Sequence, residues 1–122
     1  MINFFKNLFS KEPVHIVNIA KDFSKTPAGL YLTDGNYSAA KFRETFLLPY
    51  ISNMKVEVIL DGVEGYASNW LEASFAGLMR YNDISYKTLK KNLIIKTYEP
   101  VYKTYANRIW AYIEHTREEF VD

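Results

Sequence analysis

Residues 55–79 read KVEVILDGVEGYASNWLEASFAGLM, the most informative part of the chain: a strand, a turn and a helix in succession. Val56, Val58 and Leu60 alternate with Glu57 and Ile59, the period-two pattern of a strand. Asp61-Gly62-Val63-Glu64-Gly65 follows as a turn, where glycines permit a tight bend and a close helix approach. Asn69 followed by Glu72 resembles a capping box, with Ser68 as the competing cap. Leu71, Phe75, Leu78 and Met79 then recur at helical spacing and form a buried stripe.

Upstream, Pro13 precedes a strand predicted over Val14 to Ala20. KDFSKTPAG (21–29) clusters Ser, Pro and Gly and reads as a loop. A second short strand, Leu30 to Thr33, ends at the turn pair Asp34-Gly35 and is expected to pair antiparallel with the first. Ser38 can cap a helix starting at Ala39, with Phe42, Phe46, Leu47, Tyr50 and Ile51 on one face and Pro49 as a kink or stop. Downstream, Ser85 caps a short turn from Tyr86 to Lys90, and Leu93 to Tyr98 reads as a strand. Pro100 suits the first turn of a final helix running towards Phe120. The order β, β, α, β, α, β, α predicts an α/β sandwich: a mixed four-stranded sheet packed with about three helices. It occupies residues 14–122, after an N-terminal amphipathic segment, residues 1–13.

Composition narrows the function. The chain has 122 residues, enough for one domain with a real core. A formal charge of +1 argues against a nucleic-acid binder, which shows a basic excess. There is no Cys, which excludes disulfides and thiolate chemistry and fits a cytoplasmic protein. His15 and His115 lie at opposite ends and form no metal-ligand spacing, so no metal or cofactor is expected. The longest apolar runs, FAGLM and IWAYI, are far shorter than the roughly 20 residues of a membrane span. Phe4, Phe5, Leu8 and Phe9 give the segment Asn3 to Phe9 one apolar face if helical; Lys6 and Lys11 beside it admit a membrane-surface helix, and the simpler role is a lid for the core or a contact to another chain.

The chemistry concentrates at the turn. Ser68 stands at the predicted helix N-terminus, where free N–H groups and the dipole favour an anion, so a phosphate there is tolerated. The simpler role for Ser68 or Asn69 is that of a helix cap. Asp61, Gly62 and Gly65 make a G-x-x-G turn without the Lys of a Walker loop, and one carboxylate with Glu64 nearby is a thin basis for Mg²⁺. Tyr66 and Trp70 beside the turn are expected at the surface, where aromatics suit a partner interface. Ser38 with Lys41 and Arg43 is a second anion site, again with capping as the simpler role. Lys103 and Arg108 interleave with aromatics in YKTYANRIWAYIEH, a spacing that favours a core stripe over base stacking. No nucleophile, base and orienting group share a motif, and no enzyme is expected.

KDFSKTPAG, NYSAAKFRETFLLPYI and KVEVILDGVEGYASNWLEASFAGLMR together resemble the bacterial STAS-like family of unassigned function, over roughly residues 14 to 115. The family pattern has F-S-x-x-P-x-G before a second strand, a helix with S-G-x-x-F-R-E, and an Asp-Gly turn running into S-S-F-x-x-E-A-F-G-G-L. This chain departs from it at Leu30, Ala39, Asn69, Trp70 and Ala76. The resemblance implies a STAS-like fold related to anti-anti-sigma factors. It further implies a non-enzymatic regulatory role, with Ser68 as phosphoacceptor. A histidine-kinase-like ATPase is the implied partner. The implied contact surface is Asp61, Gly62, Glu64, Gly65, Asn69 and Trp70. Two other roles stay open: a small-ligand or nucleotide-binding domain at the same helix N-terminus, and a structural subunit that self-associates, for example as a homodimer, through its Phe-rich N-terminus.

Overall fold

A computed structural model describes residues 12–120 of the protein. The predicted N-terminal helix, Asn3 to Phe9, lies outside the described residues. Strand β1 (Val14–Asn18) pairs in parallel with β2 (Lys55–Ile59), which pairs in parallel with β3 (Leu93–Lys96). The sheet order is β1-β2-β3. Helix α1 covers residues 39–51 and connects β1 to β2. Helix α2, residues 68–82, and helix α3 (Tyr86–Asn92) connect β2 to β3, and α4 (Pro100–Glu119) follows.

Among the described residues the expected mixed four-stranded sheet is therefore corrected to three parallel strands. Residues 30–33 are not a strand, and the local chemistry explains why. One carboxylate oxygen of Asp34 accepts the N–H groups of Leu30 (3.0 Å) and Tyr31 (2.9 Å), removing two donors a ladder would need. The carbonyls of Gly29 and Leu30 accept the N–H groups of Ala39 and Ala40. The segment thus satisfies the start of α1 instead of a sheet edge. Leu32–Asp34 winds as a 3₁₀ turn, and Gly29 takes φ +95°, which few L side chains adopt.

Strand β1 also ends earlier than its apolar pattern suggests. The Asn18 side chain accepts the N–H of Lys21, and Asp22 accepts the N–H of Asn18, so Ile19–Phe23 curls into a π turn. Ser38 caps α1 by accepting the N–H of Lys41 at 3.1 Å. Pro49 does not break α1. A π turn at Arg43–Leu47 passes the N–H of Leu48 back to the carbonyl of Arg43, and the helix resumes over Leu48–Ile51.

The two faces of the sheet differ. Val17, Val56, Val58 and Leu93 point into the core and are almost completely buried. They meet Phe42, Leu47, Ile51, Leu71, Phe75, Leu78 and Leu89 from the helices, with Ile109 and Ile113 closing the cluster from α4. The opposite face carries Val14, Ile16, Asn18, Lys55, Glu57, Ile59, Ile94 and Lys96. There Ile16 is 56% exposed and Val14 42% exposed. Across the strands Ile16 is in register with Glu57 and Glu57 with Ile94. No helix among the described residues is long and apolar enough to cross a membrane.

Candidate functional site

The turn after β2 is tied down on several sides. Leu60 N–H donates to the carbonyl of Lys96 (3.1 Å), and Glu64 N–H donates to the carbonyl of Lys25 (2.9 Å). Tyr102 on α4 donates its hydroxyl to the carbonyl of Val63 at 2.7 Å. The Asp61 carboxylate accepts the N–H of Tyr98 (3.0 Å) and of Glu99 (2.8 Å), linking the end of β2 to the start of α4. Gly62 has φ +95°, and a Cβ there would lie 3.0 Å from that of Ala20. Gly65 opens towards α4, where an added Cβ would sit 4.0 Å from the Tyr105 hydroxyl. The loop is a rigid platform.

Helix α2 rises from this platform. Its cap position is Ala67, whose side chain makes no cap hydrogen bond. Trp70 and Leu71 N–H groups both turn back to the Ala67 carbonyl. This corrects the expected capping roles: Ser68 and Asn69 are the first two residues inside the helix. Both are exposed. Their N–H groups lie in the opening turn, where backbone donors lack intrahelical partners and the dipole is positive. Arg108 on α4 reaches across, placing Nη1 3.4 Å from the Ser68 hydroxyl oxygen. A serine hydroxyl, a helix N-terminus and a guanidinium therefore converge. Such a group suits holding an anion at the hydroxyl.

Trp70 is corrected from a surface residue to a core residue. It is fully buried against Phe42 (ring centroids 5.3 Å) and Tyr66 (5.8 Å), and its indole N–H donates to the carbonyl of Tyr37. Tyr66 is also buried and donates to the carbonyl of Leu60 at 2.8 Å. Burial, the largest cause, pushes its phenol well above the usual range. Trp70, Leu71, Ser74, Phe75 and Leu78 share one face of α2, so the stripe read at Leu71 and Phe75 extends one residue upstream.

The second anion site does not assemble. Ser38 is fully buried as the cap of α1. Arg43 points away from it, between α1 and α2, and is only 6% exposed. Its Nη1 donates to the Ala73 carbonyl (2.8 Å) and its Nε to Asn82 Oδ1 (2.9 Å). The geometry follows from a π turn at Glu72–Ala76, which sends the Gly77 N–H back to Glu72 instead of to Ala73. The freed carbonyl is the one that Arg43 takes. Desolvation lowers the Arg43 pKa from its ordinary value, yet the group stays charged.

Of four clefts on the described surface, one of about 410 Å³ is lined by Met79, Ile84, Tyr86, Arg117 and their neighbours. Asn69 contributes to a 280 Å³ cleft with Leu30, Glu72 and Tyr81. None of these four includes Asp61, Gly62, Glu64, Gly65 or Ser68 in its lining. Among the described residues no three His, Asp or Glu side chains group to hold a metal ion.

Arg108 is the member of the site that the sequence pattern placed elsewhere, in a core stripe of α4. The stripe is real, through Ile109 and Ile113, but Arg108 is exposed beside it. Residues 38–103, just over half of the chain, match the model of a family described as a STAS-like domain of unknown function. No curated protein and no solved structure matches the chain.

Proposed function

We propose that this chain, which belongs to the STAS-like family of unknown function, is a non-enzymatic cytoplasmic regulatory module whose partner contact is switched by phosphorylation of Ser68. The observation that carries the proposal is the convergence at Ser68: an exposed hydroxyl, a helix start without a side-chain cap, and Arg108 Nη1 at 3.4 Å. Phosphorylation would add about −1.5 to −2 charges and strong acceptor oxygens, which the helix start and Arg108 are positioned to receive. Whatever surface had packed on Ser68 would then face a charge that was absent before. The hydroxyl is partnered by a cation and not by a base, which suits an acceptor whose phosphoryl group is delivered by another protein. The family resemblance suggests a histidine-kinase-like ATPase in that role, and Glu64, Asn69 and the rigid turn as the adjoining contact surface.

The test is partner capture from the native host followed by phosphosite mapping and affinity measurement. Ser68→Asp is expected to weaken the captured complex by at least about tenfold, the cost of an unmatched charge in an interface, while Ser68→Ala retains it. Equal affinity for the two variants would refute the switch. Arg108→Gln is expected to leave the unmodified complex intact and to enlarge the effect of Ser68→Asp, because the new carboxylate then faces the partner without its guanidinium.

A further inference from the structure

The outer face of the sheet carries an inference independent of Ser68. Parallel sheets are found with both faces covered, because their crossover helices and apolar strands exclude water from both sides. Here both crossovers run in the same direction across β1-β2-β3, so right-handed connections place α1, α2 and α3 on a single face. Among the described residues the second face is left with Val14, Ile16, Ile59 and Ile94 beside Asn18, Lys55 and the Glu57–Lys96 ion pair (3.7 Å). Ile16 is the most exposed of them and lies in the middle of edge strand β1.

We infer that residues 2–9 of the same chain cover this face. The segment has the required composition: at helical spacing Phe4, Phe5, Leu8 and Phe9 would share one side, with Lys6 off that side. It also has the required reach. Only Ser10 to Pro13 separate Phe9 from the first residue of β1. As a helix, eight residues would span roughly 12 Å and be about 10 Å wide, which matches strands of five residues or fewer in a sheet three strands across. Attachment decides between this occupant and a second copy. A short tether holds its segment at an effective concentration in the millimolar range, so another chain at micromolar concentration would have to bind about a thousandfold more tightly to compete.

Because the chain has no native cysteine, cysteine chemistry tests the cover directly in the full-length protein. Ile16→Cys is combined in turn with Phe4→Cys, Phe5→Cys, Leu8→Cys and Phe9→Cys, and each pair is oxidised at dilute protein concentration. The expected result is an intrachain disulfide in at least one pair, seen as a monomer by non-reducing electrophoresis and mapped by mass spectrometry. Disulfide-linked dimers alone would assign the face to a second copy and overturn the proposal, as would no disulfide in any pair. A second measurement uses the single Ile16→Cys variant. Its thiol should react with a maleimide about tenfold more slowly than when Phe4, Phe5, Leu8 and Phe9 are all serine, the protection expected of a local closed state. Equal rates would overturn the cover even where every cysteine pair distorts the segment.

Discussion

Gly77→Ala should change sign with the residue at position 43. In the native chain, a Cβ at Gly77 would stand 2.8 Å from Arg43 Nη1, 3.2 Å from its Cδ and 3.4 Å from its Cζ. The Arg43 tip is flexible in principle, but two hydrogen bonds pin it, and it can retreat only by giving up the one to Ala73. A hydrogen bond from a charged donor contributes about 1.5–3 kcal/mol. Replacing a helical glycine by alanine returns about 1 kcal/mol. Gly77→Ala should therefore cost roughly 0.5–2 kcal/mol in the native chain. In an Arg43→Ala background the obstruction is gone, and the same change should stabilise by up to about 1 kcal/mol. Arg43→Ala itself leaves the Ala73 carbonyl and Asn82 Oδ1 without their donor and should cost about 2–4 kcal/mol. Urea melts of the four proteins of this cycle give the coupling directly, and thermal melts should show shifts of roughly 4 °C per kcal/mol for a chain of this size. A cost for Gly77→Ala that is the same in both backgrounds would refute the wedge.

Asp61→Ala should lower stability by about 1–2 kcal/mol in urea, because the Tyr98 and Glu99 N–H groups lose their common acceptor at the start of α4; Asp61→Asn should recover part of the loss. At Asp34, hydrogen bonds from Tyr31 and then Leu30 hold the carboxyl below its ordinary value of 3.8. A depressed carboxyl contributes its stability above that ordinary value and loses it as pH falls through the lower folded value. Acid titration followed by amide exchange at Leu30 and Tyr31 should accordingly show these amides still protected at the ordinary carboxyl value of 3.8 and released only at lower pH. Release already complete at pH 3.8 would contradict the assignment.

Much of the architecture is legible in the chain because it rests on periodicity. The alternation in KVEVI, the helical spacing from Phe42 to Ile51 and the Pro100 start of α4 all became the elements they resemble. The strand errors share one cause: a side chain captured backbone groups that the pattern had reserved for the sheet. Asp34 took the donors of Leu30 and Tyr31, and a predicted strand became the cap of a helix. At α2 the chain begins its helix at Ala67, so Ser68 and Asn69, both good caps by type, fall inside it. Trp70 reads as a surface anchor only while the stripe is counted from Leu71. Arg108 meets Ser68 across a tertiary contact between residues 40 positions apart, which no local spacing encodes.

The all-parallel sheet also dictates how the chain can reach its native state. Val14 pairs with Lys55 and Val56 with Leu93, so neither strand pair can zip from a tight hairpin. Each pairing has to wait until an intervening helix has collapsed and closed a long loop, with its entropic cost met before any ladder bond forms. Locally favoured helices such as the twenty residues of α4 are available early, whereas the sheet is completed later. Refolding of this protein should be a slow, single-exponential process in the millisecond-to-second range, with β2 paired on both sides only once the transition state has been crossed.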